Sequence, residues 1–124
     1  MRNLVATLAL AALASPAAAY VASNGLIVKP QGADDFMVPY HGLSGAPDFW
    51  CAAGDYAIVH LHVSPGSRIY RTTGHRHAGQ GIGFSLSPEG AQKSGIFVTG
   101  SPDKGVSATL AQTLCPSLQD KIEP

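Results

Sequence analysis

Histidine is the residue type whose spacing in this chain points most directly to chemistry. Four of the five fall within eighteen residues, as His60-Leu61-His62 and His75-Arg76-His77, and His41 stands upstream. On a strand an HxH pair turns both imidazoles to one face, and two such pairs supply the nitrogens of a tetrahedral zinc or copper site. The backbone limits that reading. In a hairpin turning about Pro65-Gly66, position 60 faces 71 and His75 falls opposite residue 56, beyond a strand step from His60. In a helix, His60 and His62 diverge by about 200° around the axis. Convergence of His60, His62, His75 and His77 therefore needs tertiary packing, with the 74–80 loop folding back. The preferred reading has partly exposed histidines and no cofactor; zinc or copper is the alternative.

The same loop carries charge. Below a pH of about 6.5, His75-Arg76-His77 becomes a cationic spot, and Arg71 and Arg68 add donors for phosphate, sulfate or carboxylate. Arg71, Arg76 and Trp50 are the ligand contacts this reading names. Gly79-Gln80-Gly81-Ile82-Gly83 has the letters of a phosphate loop, but such loops open a helix, and here the chain continues as a strand towards Pro88. These glycines predict a tight or bulged turn. No G-x-S-x-G elbow occurs, so a hydrolase set such as Ser44, His41 and Asp55 is unconstrained. Asp48 and Asp55, seven apart, read as dipole-complementing, solvated groups of one helix. Phe49, Trp50, Tyr56 and Tyr70 read as core.

The elements that must position these groups follow from periodicity and breakers. Leu26–Lys29 and Phe36–Tyr40 predict a hairpin about the turn formers of residues 30–35, with Pro30 and Pro39 arguing for edge positions. Residues 20–25 read as a loose lead-in. Pro47 to Val63 predicts a helix by length, begun by Pro47 and Asp48; a switch to strand near residue 58 is the alternative, since residues 56–63 also alternate. Arg68–Thr73 and Gly81–Leu86 predict strands joined by the 74–80 loop, and Gly95–Thr99 a further strand after the Ser87-Pro88-Glu89-Gly90 turn. Ser107 predicts the cap of a second helix that ends near Cys115-Pro116.

The chain opens with Arg2, an uncharged apolar run from Leu4 to Ala14, then Ser15-Pro16 and Ala17-Ala18-Ala19. This is the pattern of a secretory signal peptide cut before Tyr20. The run is too short for the roughly 20 residues that span a bilayer, and no later stretch predicts a membrane span. Residues 20–116 then form one domain and residues 117–124 a solvated tail. Loss of Arg2 turns the formal charge from zero to −1, which leaves no electrostatic footprint for nucleic acid. Cys51 and Cys115 are the two cysteines. In an oxidising compartment they predict a disulfide.

The run FWCAAGDYA over Phe49–Ala57, with Arg68-Ile69-Tyr70-Arg71 and the late Cys115, resembles small exported proteins of alphaproteobacteria. The resemblance implies a Gram-negative periplasmic setting and brings no activity with it. The expectation is an α+β fold: an antiparallel sheet of about five short strands, with two helices on one face tied by Cys51–Cys115. Functionally the chain reads as a periplasmic or secreted binding or structural module, its partner an envelope protein or small ligand. A metal-handling protein is the alternative, and a small exported enzyme the second alternative.

Overall fold

The computed structural model describes residues 18–42, 45–74, 76–96 and 105–116. The leader up to residue 17, the 117–124 tail and His75 lie outside these. Six strands form one antiparallel sheet: β1 (Tyr20–Val21), β2 (Ile27–Pro30), β3 (Asp35–Val38), β4 (Arg68–Arg71), β5 (Ile82–Ser85) and β6 (Val106–Ser107), in the spatial order β1-β2-β3-β5-β4-β6. Two helices, α1 (Ala46–Asp55) and α2 (Ala108–Gln112), complete the α+β fold. The disulfide joins Cys51 of α1 to Cys115 just beyond α2, across a Cα–Cα distance of 4.7 Å.

The β2–β3 hairpin forms as the turn residues predict, with Lys29 opposite Met37 and Pro30 opposite Phe36. β4 and β5 pair across the 74–80 loop, with Arg71 opposite Phe84. The strand count is six rather than five because two ends of the sheet are two-residue strands. Tyr20–Val21, expected as loose lead-in, pairs with β2, and Val106–Ser107 pairs with β4. Neither is long enough to leave a pattern. The strand expected at Gly95 does not begin there: Gly95 has φ +78° and Ile96 lies in a bend, while residues 97–99 fall outside the described set. Pro30 and Pro39 do not mark edges. Both strands are interior, but Pro30 closes β2 and Pro39 follows β3, where a missing amide costs no ladder bond.

The core lies between the sheet and the helices. Val28, Phe36, Val38, Ile69, Ile82 and Phe84 line the inner sheet face, and Phe49, Trp50, Ala53, Tyr56 and Ala57 meet them from the helical side. Trp50 stands edge-on to Phe84 at 4.9 Å between ring centres. α1 lies so close to α2 that a Cβ on Gly54 would sit 2.6 Å from the Gln112 amide nitrogen. α1 starts at Gly45, which has no side chain to cap with; Asp48 accepts the Gly45 N–H at 2.8 Å instead. α2 starts at Ser107, whose hydroxyl accepts the Leu110 N–H.

The helical expectation for residues 47–63 holds to residue 60, and the switch to strand does not occur. From Tyr56 to His60 the helix widens to π. It ends where Leu61 N–H donates to the Tyr56 carbonyl, Val63 N–H reaches the Ala57 carbonyl, and His62 takes φ +58°. A left-handed residue is a common helix stop, normally glycine; here a histidine fills it.

Candidate functional site

The strand β4 alternates Ile69 and Arg71 inward with Arg68 and Tyr70 outward. Ile69 is fully buried, and Arg71, opposite the buried Phe84, follows it onto the inner face at the margin of the core. Its guanidinium is half-buried there. The Arg71 Nε–H donates to the Thr73 carbonyl at 2.7 Å, Nη2 to the Gly74 carbonyl at 2.8 Å and Nη1 to the Ser94 carbonyl at 3.4 Å. Among the described residues three carbonyls occupy three of its five N–H bonds, which leaves one on each terminal nitrogen. Among the described residues no carboxylate pairs with it.

Arg71, Gly74, Gln92, Lys93 and Gly95 enclose a cleft of about 340 Å³. The Ser94 carbonyl that accepts from Arg71 is also held from within the core: Trp50 Nε1–H donates to it at 2.8 Å. Gly95 has the left-handed φ of +78° that favours glycine and packs against the guanidinium, since a Cβ there would stand 2.5 Å from Arg71 Nη1. Arg76 comes from the 74–80 loop and stacks on the Phe49 and Tyr40 rings at 5.2 and 5.8 Å, with one N–H on the Gln80 carbonyl. Burial, and secondarily the positive charge of Arg76, lower the Arg71 pKa from its ordinary value. The Arg76 guanidinium thus acts on Arg71 through its charge, from its own place over the Phe49 and Tyr40 rings.

Of the contacts expected from sequence, Arg71 lines the cleft and Arg76 stands close enough to repel it. Trp50 is corrected: it is fully buried, so it braces the Ser94 carbonyl and offers no surface to a ligand. Arg68 is turned away, donating to the Gly105 carbonyl on the β6 side. Lys93 and Gln92 were not singled out by sequence, because neither sits in a motif; the bridge from Gln92 to Arg71 brings them in.

The histidines are placed differently from the strand premise. His60 ends the π-segment and stacks on Tyr56 and Tyr20, with ring centres 5.1 and 5.5 Å away. His62 is the left-handed stop, and the main-chain N–H of His77 donates to the Gln80 side chain. An HxH strand pair is therefore absent at 60–62. Among the described residues no three His, Cys, Asp or Glu side chains gather as a metal would need; His75 lies outside them.

Asp55 departs most from expectation. It is buried rather than solvated and accepts from the Tyr20 hydroxyl at 2.9 Å, the Ser23 amide at 2.9 Å and the Gln112 side chain at 3.3 Å. It joins β1, α1 and α2. Burial first, and the hydrogen bond to Asp55 second, push the Tyr20 pKa up to about 12.

A second, larger cleft of about 580 Å³ lies on the outer sheet face, over Met37, Gly83, Thr72 and Thr73, with Asp35 and Glu89 among its lining residues. Gly83 is needed there for packing, since a Cβ would meet the Thr72 hydroxyl at 2.8 Å. This cleft and the cationic cleft flank the same 72–74 strip. No protein-family model, no curated protein and no solved structure matches this chain, so the site is read from its geometry.

Proposed function

We propose that this chain is an exported binding module of the cell envelope that holds a small anion in the cleft of Arg71, Gln92 and Lys93. The observation that carries this reading is the Arg71 guanidinium, fixed in orientation by three carbonyls and left with one N–H on each terminal nitrogen. A pre-oriented, half-buried fork without a carboxylate suits a two-oxygen ligand, because the ordering cost is met by the fold and not by binding. Lys93 lines the same cleft and adds charge of the same sign. Export is supported by the leader pattern of residues 1–19 and by the disulfide, which persists in oxidising compartments. Among the described residues no helix is long and apolar enough to cross a membrane.

Calorimetric titration of the oxidised protein with sodium acetate, sulfate and phosphate at low ionic strength tests the reading. The expected result is saturable uptake of at least one anion near one equivalent. Arg71→Gln should weaken it tenfold or more, and Arg71→Lys should restore only part, because the ammonium keeps the charge but not the fork. Failure of the folded wild type to take up any of the three anions overturns the proposal.

A further inference from the structure

Resting on the anion reading, we infer that the ligand of the Arg71 cleft is a phosphomonoester, bound as its dianion.

The argument is one of charge and oxygen count. A carboxylate brings one negative charge and two oxygens. The two unspent N–H groups of Arg71 satisfy both oxygens and that single charge. Lys93, lining the same cleft, and Arg76, whose charge already acts on Arg71, would then stay uncompensated. A phosphomonoester carries close to two charges at neutral pH and three terminal oxygens. Two oxygens match the Arg71 fork and the third remains for Lys93. The groups packed about Arg71 fit this balance: Arg76 comes from the loop and Lys93 from the 92–95 segment. On the α1 side, the neighbour that Gly95 meets is the uncharged Ala46. The volume of about 340 Å³ lies at the small end of ligand pockets, enough for a phosphoryl group and a short organic remainder. Gly74 and Gly95 on the walls carry no side chain that would keep phosphoryl oxygens from the main chain.

The test is a pH series from 5.0 to 7.5, about, with glycerol 3-phosphate, acetate and sulfate as probes. The second proton of a phosphomonoester leaves near pH 6, so glycerol 3-phosphate should bind roughly tenfold tighter at the upper end. Sulfate stays doubly charged throughout, and its profile gives the protein's own pH dependence for subtraction. Lys93→Ala, at an exposed position where folding is not at stake, should weaken glycerol 3-phosphate about fivefold or more and acetate less than about twofold. Vesicles of phosphatidylcholine with and without phosphatidic acid separate the sources: flotation with phosphatidic acid, lost in Lys93→Ala, assigns a lipid headgroup, and its absence beside tight glycerol 3-phosphate binding assigns a soluble ester. Acetate binding as tightly as glycerol 3-phosphate, or a corrected profile that is flat with pH, overturns the phosphomonoester while leaving the anion reading intact. No uptake of any probe removes both.

Discussion

At the scale of single residues, the two groups that matter most are a half-buried cation and a buried acid, each with assigned partners. Arg71 is held by main-chain carbonyls alone, an arrangement that orients a cation without neutralising it. Asp55 is held by a phenol, an amide N–H and a side-chain amide, an arrangement that fixes three elements at one point. The Tyr20 pKa near 12 gives this point a pH dependence. The folded value lies above the ordinary value of 10.0, so the neutral phenol is the form that stabilises the fold. That contribution is complete below pH 10 and is lost as pH rises towards 12. Denaturant midpoints should fall between about pH 10 and pH 12. Tyr20→Phe should remove part of that fall, leaving the share of Tyr56, whose pKa burial also raises. A slope unchanged by Tyr20→Phe would show that the phenol does not couple to folding.

At the scale of elements, the contact between α1 and α2 is set by a missing side chain. Gly54→Ala would place a methyl within 2.8 Å of the Ala111 Cβ and 2.6 Å of the Gln112 nitrogen, where backbone must shift. Overpacking of this kind costs about 1–3 kcal/mol, and the thermal midpoint should drop by roughly 5 °C or more. An unchanged midpoint would mean that the helices part without strain. This contact also shows what was legible beforehand. The helix over residues 47–60, the Ser107 cap, both hairpins and the cysteine pair could be read because each rests on a local signal: a periodicity, a breaker or a cap. Tyr20–Val21 and Val106–Ser107 could not, because two residues carry no period. Asp55 was misread for a related reason. Its spacing from Asp48 describes one helix correctly, but the neighbours that bury it arrive from positions 20, 23 and 112. The cationic cleft was half legible: Arg71 and Arg76 lie in a visibly basic stretch, whereas Lys93 joins through a bridge between Arg71 and Gln92 that no local pattern announces.

At the scale of the whole molecule, the disulfide closes a loop with a sequence separation of 64 that contains β4, β5 and β6, half of the six strands. In the chain-entropy model this restricts the unfolded state by roughly 4 kcal/mol, a large share of the 5–15 kcal/mol typical of a domain. Cys51→Ser should therefore lower the thermal midpoint strongly in oxidising buffer, while with reductant present mutant and wild type should nearly coincide. Equal midpoints without reductant would show that the bridge contributes little. The sheet itself ends in two-residue strands on both sides, which leaves little free ladder for edge-to-edge pairing.

The single tryptophan of the chain shares the Ser94 carbonyl with the Arg71 guanidinium. The indole is thus two hydrogen bonds from the charged fork and sealed from water, with no second tryptophan to obscure its emission on excitation beyond the tyrosine band. An anion taken up as proposed should therefore register in the tryptophan emission, and candidate ligands can be surveyed by fluorescence on the unlabelled protein.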